Sequence, residues 1–500
     1  MKNRMKEGLS LMRKAGILMH ISSLASDYGI GTVGEAAFEF VDFLKKTGQS
    51  YWQILPLNPT DMNNSPYQSP SVFAGNSLLI DINELKKDGL LSDFDTEGIF
   101  WGENPEKVDF NAVKAYKSNL LKKAFGNFQK DYEYITFETQ NAGWLNDYSL
   151  FMALKEHFDG KPWYDWDGNI KSHNKKEIEE YTKKLWTSIE YYRFEQFLFY
   201  RGWGKLKKYA NDNGIELIGD IPIYVALDSA DVWANRNLFL IDEDFVPKAV
   251  AGCPPDLFSK DGQKWGNPLY DWKVNKKTGY LWWINRINET QKLYDIVRLD
   301  HFRGFEAYYE IPYDADTARE GHWEKGPGIA FFEAVKKQLP DIKIIAEDLG
   351  HLTPEVYELL GECGFPGMKV LQFAFDPYRD NPYLPYNYPK NCVAYTGTHD
   401  NDTIKGWYQG ENNKPFIRDY LNVAEDEWVS AAMIRTILAS RADTVIIPIQ
   451  DYLGYGARMN TPGTTGDNNW SYRIRRDALS DSLAYNISHL TKLYKRSREE

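Results

Sequence analysis

Four apolar runs in this chain end in groups capable of acid–base or nucleophilic chemistry. They close on Asp220, on Arg298 with Asp300 and His301, on Glu347 with Asp348, and on His399 with Asp400. Acids from separate runs, flanked by an arginine and histidines, make a carboxylate cluster suited to glycosidic bonds. Retaining cleavage of such a bond needs a carboxylate nucleophile and a second carboxylic acid, about 5–5.5 Å apart. A cation such as Arg298 keeps the nucleophile ionised by favouring its charged form. The plainer alternative is salt bridging at strand ends. Several acids on different strands of one sheet weigh against it.

Those residues must be held by the elements that precede them. Eight short runs read as buried strands: Gly16–Ile21, Tyr51–Leu57, Ile215–Ile221, Ile296–Asp300, Ile342–Glu347, Met368–Phe373, Cys392–Tyr395 and Thr444–Ile449. Helical patterns fall between most of them, including Glu35–Lys46, Glu190–Asn211, Ile329–Gln338, Pro354–Glu362 and Asp426–Ser440. Eight strands with βα alternation predict an α/β fold of the (β/α)8 TIM-barrel type. The expected organisation is a single barrel over 1–500. It carries a mainly helical insertion at about 80–190 and a second, loop-rich insertion at about 226–290. In such a barrel catalytic side chains sit at the C-terminal ends of the strands. Strand alternation puts Arg298 and Asp300 on one face, pointing into the mouth, if Val297 and Leu299 face the helices.

Composition narrows the function classes. The 500 residues are 43% hydrophobic and 26% charged, as in ordinary globular chains. A formal charge of −12 argues against nucleic-acid or anionic-membrane partners. No apolar run approaches the ~18 residues that span a bilayer. The three cysteines, Cys253, Cys363 and Cys392, are widely spaced, which argues against a disulfide framework and suits a reducing, cytoplasmic setting. Aromatic residues make up 15% of the chain. Many lie in polar segments such as Trp163–Asp167 and Tyr378–Tyr388, which predicts ligand platforms rather than core.

The segments around Asp220, Val297–Gly304, Ala346–Gly350 and Tyr395–Asp402 resemble the four conserved regions of the α-amylase clan. Ser65–Asn76 and Pro254–Pro268 resemble, more narrowly, the amylomaltase (4-α-glucanotransferase, disproportionating enzyme) family, glycoside hydrolase family 77. The match runs nearly the whole chain in order. It implies Asp300 as nucleophile, Glu347 as general acid/base and Asp400 as the transition-state stabiliser. It further implies Tyr67, Asp220, Arg298, His301 and His399 around the donor sugar, and Asp256, Phe258, Gln263 and Trp265 on an acceptor-side loop. Asp348 and Asp402 take support roles. The implied substrates are α-1,4-glucans and maltooligosaccharides, with glucose as an acceptor, and the reaction needs no cofactor and no metal.

Other motifs carry less. Gly29–Gly34 matches GxGxxG but lies beyond its strand, and the next strand ends without an acid for a ribose, so a turn is the better reading. The histidines include no HExxH pair, and no DxDxDG calcium loop is present. A hydrolytic α-amylase is the nearest rival. Against it, the stretch after Gly454 reads as helix, leaving little room for a C-terminal β-sandwich domain. An inactive glucan-binding protein is the rival of another class, and intact acids at all three positions argue against it.

Overall fold

In the computed structural model, residues 13–255, 259–350, 352–376 and 381–498 are described. Eight strands form one parallel sheet: β1 (Lys14–Leu18), β2 (Tyr51–Gln53), β3 (Glu216–Ile221), β4 (Ile296–Leu299), β5 (Ile344–Ala346), β6 (Gly367–Val370), β7 (Cys392–Tyr395) and β8 (Thr444–Pro448). Their spatial order is β6-β7-β8-β1-β2-β3-β4-β5. The two ends meet where the Ala346 N–H donates to the Pro366 carbonyl at 3.0 Å, which brings the sheet round into a barrel. All eight overlap the apolar runs read from the sequence, the runs Gly16–Ile21 and Met368–Phe373 continuing past their strands into single turns. The ladder of β2 is shorter than its run. Ile54 still donates to Ile218 at 2.9 Å, but Pro56 has no N–H to extend the pairing.

Helices wrap the outer face as the 3.6-residue pattern requires. Glu35–Lys46 buries Phe40, Val41 and Leu44 against the barrel. Pro354–Cys363 starts with proline in its first turn and stops at Gly364, whose φ of 69° is the left-handed conformation that glycine adopts without strain. Val297 and Leu299 pack outward among Phe302, Phe305, Phe331 and Phe332. Arg298 therefore turns inward, as strand alternation demands.

Between β2 and β3 run the helices Ile82–Lys87, Phe110–Asn127, Tyr132–His157, Lys175–Lys184 and Trp186–Asp212. Here one expectation is corrected. Trp163 and Trp166, read as ligand platforms, are fully buried core. Each indole N–H is satisfied by a backbone carbonyl, Trp163 by Leu227 at 2.7 Å and Trp166 by Lys161 at 3.0 Å. A polar local sequence thus surrounds rings whose partners lie partly on a distant segment. In the other aromatic stretch Tyr388 is likewise buried and Tyr386 is exposed; Tyr378 lies outside the described residues.

A second sheet was not visible in the sequence. Ala249–Cys253, Gln263–Pro268, Ala307–Pro312 and His322–Lys325 pair antiparallel. The first two come from the 226–290 region expected as loop. Gln263–Pro268 carries glycine and proline, and His322–Lys325 is exposed throughout, so neither shows hydrophobic alternation. Both are edge strands, where such residues are tolerated. Among the described residues no strand follows β8, and the last element is the helix Asp481–Leu493. None of the described helices is long and apolar enough to cross a membrane.

Replacing Trp163 with alanine should lower unfolding stability by about 3–5 kcal/mol, the cost of emptying a buried aromatic site. In urea titrations the midpoint should fall, while substrate KM of the folded protein stays unchanged. A raised KM with unchanged stability would return Trp163 to the ligand-platform reading.

Candidate active site

Arg298 organises the mouth. It is opposite Asp220 in the β3–β4 register. Its guanidinium donates to both Asp220 oxygens at 2.8 and 2.7 Å and reaches Asp300 at 2.9 Å. The Nε lies 3.4 Å from the Met368 sulfur on β6. The Tyr67 hydroxyl donates to Asp220 at 2.7 Å. Burial alone would lower the arginine's pKa, but Asp220 and Asp300 reverse that and raise it well above the usual value. Asp220 is pushed up by burial, against the opposing pull of Arg298.

Asp300 and Glu347 follow immediately after register partners, since Leu299 of β4 is opposite Ala346 of β5. Adjacent strands lie ~4.8 Å apart. The Glu347 N–H donates to Leu299 O at 3.0 Å, and the Phe302 N–H to Glu347 O at 3.1 Å, so the two acid-bearing ends are stitched together. The Glu347 carboxylate accepts the N–H groups of His301 at 2.7 Å and Leu349 at 2.9 Å. Burial, aided by the Asp300 charge, lifts the Glu347 carboxyl to about 7 despite Arg298 and those two donors. Asp300 remains partly open, its side chain 29% exposed.

His301 takes a left-handed backbone, φ 53°, unusual for a residue with a Cβ. This turn lets its N–H reach Glu347. Its ring meets the edge of Trp265 at 5.1 Å and 88°. Burial lowers its pKa to about 4, so the ring is neutral at pH 7.

The fourth wall follows β7. Burial would raise the Asp400 carboxyl, but His399 at 3.3 Å and Asn460, which donates to it at 2.7 Å, hold it at about 2. His399 stacks on Tyr67 with centroids 5.3 Å apart and planes at 13°, and Trp470 tilts against both rings. The stack joins the Asp400 side of the mouth to the Tyr67–Asp220 side.

The structure thus brings Tyr67, Asp220, Arg298, Asp300, His301, Glu347, His399 and Asp400 together at the C-terminal mouth. Trp265 reaches it through His301, and its indole N–H donates to Gln263 at 3.1 Å. Asp256 and Phe258 lie outside the described residues. Asp348 turns away, accepting the Met368 N–H and facing Lys369 at 3.8 Å. Asp402 accepts the N–H of Thr403. Sequence reasoning missed Asn460 and Trp470. Their one signal is a Pro- and Gly-rich loop after the last strand, where a barrel places ligand-contacting residues. Among the described residues no group of His, Cys, Asp or Glu is arranged to hold a metal.

A barrel whose mouth holds acids from four strands around a buried arginine defines a carbohydrate-active (β/α)8 enzyme. Comparison makes the class specific. The family described as 4-alpha-glucanotransferase, glycoside hydrolase family 77, matches residues 19–479. A 4-alpha-glucanotransferase from Clostridium butyricum is 47% identical over 96% of this chain and 100% of its own. One from Streptococcus pneumoniae is 47% identical over 97% of this chain and 98% of its own. The structure of an amylomaltase from Streptococcus agalactiae in complex with acarbose superposes with a TM-score of 0.94 at 42% identity, covering 97% of this chain and all of that one. The chain belongs to the 4-alpha-glucanotransferase family.

The raised Glu347 carboxyl has a sign-definite effect on stability. Between about 4.5, its ordinary value, and about 7 the native state binds this proton more tightly than the unfolded chain. This group therefore favours the fold at low pH and opposes it as pH rises through 7. In denaturant titrations the stability of Glu347→Gln relative to the parent should increase from pH 5 to pH 8. A flat difference would contradict the assignment.

Proposed function

We propose that this glucanotransferase works with retention, through a covalent glucosyl ester on Asp300. In the first half the Asp300 carboxylate attacks the anomeric carbon of an α-1,4-linked glucosyl unit. Glu347 gives its proton to the departing 4-oxygen as that bond breaks. In the second half Glu347 takes the proton from an acceptor 4-hydroxyl. That oxygen attacks the same carbon and frees the Asp300 carboxylate. One observation carries the reading: two acids on adjacent register positions, of which Glu347 is lifted to about 7 while Arg298 stands on Asp300. A general acid and base needs a pKa near the working pH, and a nucleophile needs its charge.

Asp400, held ionised by His399 and Asn460, stabilises the oxocarbenium-like transition state. Tyr67, Asp220, Arg298, His301 and His399 surround the donor sugar. Asp256, Phe258, Gln263 and Trp265 form the acceptor side. Its substrates are α-1,4-glucans and maltooligosaccharides, with glucose as an acceptor, in starch or glycogen metabolism in the cytoplasm. A surface of net charge −12 suits a neutral substrate. The contact of Trp265 with His301 supports transfer over hydrolysis, because an aromatic cover beside the intermediate disfavours water.

Purified protein given maltotriose should produce glucose and a ladder of longer maltooligosaccharides. Maltose and glucose alone would favour the hydrolytic reading. Asp300→Asn should reduce kcat by about a thousandfold or more; full activity in that variant would remove the nucleophile assignment. The kcat/KM profile should decline as pH rises through about 7, as the acid form of Glu347 is lost.

A further inference from the structure

His399 and Asp400 sit in the middle of the loop 396–403, between β7 and the helix Ile404–Gly410. The middle of that loop is tied to the segment after β8. The Asn460 amide donates to the Asp400 carboxylate at 2.7 Å, and Arg458 donates to the Asp400 carbonyl at 2.5 Å. The two ends of the loop are held by a different residue. The Thr396 hydroxyl donates to Asp451 Oδ2 at 2.6 Å, and the Ile404 N–H donates to Asp451 Oδ1 at 2.8 Å. One carboxylate thus closes the loop with its two oxygens.

The tie is built on the barrel itself. Asp451 lies just past β8, in the short helix Ile449–Leu453, and Thr396 follows β7 directly. The two strands are neighbours, with Tyr395 opposite Ile446. Gln372, just past β6, adds an amide bond to the Asp402 carbonyl at 2.7 Å.

An acid is a costly choice at this position. Asp451 is 4% exposed, and Thr396 is fully buried. Among the described residues no lysine or arginine pairs with Asp451. Burial lifts its carboxyl to about 6, against the pull of Thr396 and the Ile404 N–H. A buried anion without a counter-charge opposes folding. What it contributes is stiffness, because hydrogen bonds to an ionised acceptor are shorter and roughly twice as strong as neutral ones. Stiffness matters where the loop carries a group that must meet developing charge. A misplacement of about 1 Å can cost around a hundredfold in rate.

We propose that Asp451 is a positioning residue of the transferase, fixing both ends of the 396–403 loop so that Asp400 meets the transition state. Its two oxygens are used on the loop, and it acts through Asp400 rather than on the sugar. The inference rests on the transition-state role of Asp400.

Maltotriose kinetics of Asp451→Ala, Asp451→Asn and Thr396→Val test it, each made in the parent and in the Asp400→Asn background, with urea titrations to establish folding. Asp451→Ala should lower kcat about tenfold or more and leave KM within about twofold, the pattern of an interaction made only in the transition state. Asp451→Asn keeps an acceptor for the Ile404 N–H and should recover kcat to within about fivefold of the parent. Where Asp451→Ala fails to fold, Thr396→Val removes one tie at nearly constant shape and should still lower kcat about fivefold. In the Asp400→Asn background the same substitutions should cost less than about twofold further, because the charge they position is already gone. Losses of equal size in both backgrounds, unchanged kinetics, or a raised KM with unchanged kcat overturn the proposal. Asp400→Asn alone reports on the underlying role. Full activity there sinks that role and the inference with it, whereas an impaired Asp400→Asn with additive Asp451 losses sinks the inference alone.

Discussion

Arg298 between Asp220 and Asp300 is the constraint around which the mouth is arranged. A guanidinium this deeply buried is destabilising unless its charge is matched and its donors are used. Asp220 matches it with both carboxylate oxygens, and the residual positive field falls on Asp300. The same field reaches Glu347, where burial nevertheless wins and the carboxyl keeps a high pKa. Two acids one strand apart thus sit in different settings, Glu347 buried with a raised carboxyl and Asp300 partly open beside the guanidinium. Removal of Arg298 would leave the buried Asp220 without its counter-charge, so the mouth and its stability share this residue.

The second organising contact is the Tyr67–His399 stack. Tyr67 reports to Asp220 through its hydroxyl and to Asp400 through the ring it lies on. A loop following β2 therefore couples walls built by β3 and β7, which lie on different sides of the barrel. That loop is itself tied to Asp231 and Ala230 on its other face.

The barrel strands and their terminal acids were legible because two signals coincide. Aliphatic runs mark parallel strands buried on both faces, and a charged residue ending such a run has few structural excuses. Asn460 was not legible: an amide in a Pro- and Gly-rich loop has no periodicity, and its value lies in a contact with Asp400. Trp163 and Trp166 are not legible because local polarity does not report exposure, whereas their burial depends on residues beyond β3 such as Leu227. The antiparallel sheet escaped because its outer strands are solvent-facing edges, where hydrophobic alternation is not imposed. The amylase-clan segments supplied the catalytic roles, and the geometry of Arg298 gives those roles a physical basis.

The pairing of β1 with β8 also shapes how the enzyme comes into being. Lys14 lies opposite Thr444, so the hoop cannot close until nearly the whole chain has been synthesised. Tyr67, Asp220, Arg298, Glu347 and Asp400 are drawn from segments scattered along that length, and Asn460 comes later still. Closure of so long a loop carries an entropic cost, and contacts this distant in sequence form slowly. The mouth is therefore assembled in one late step of chain closure.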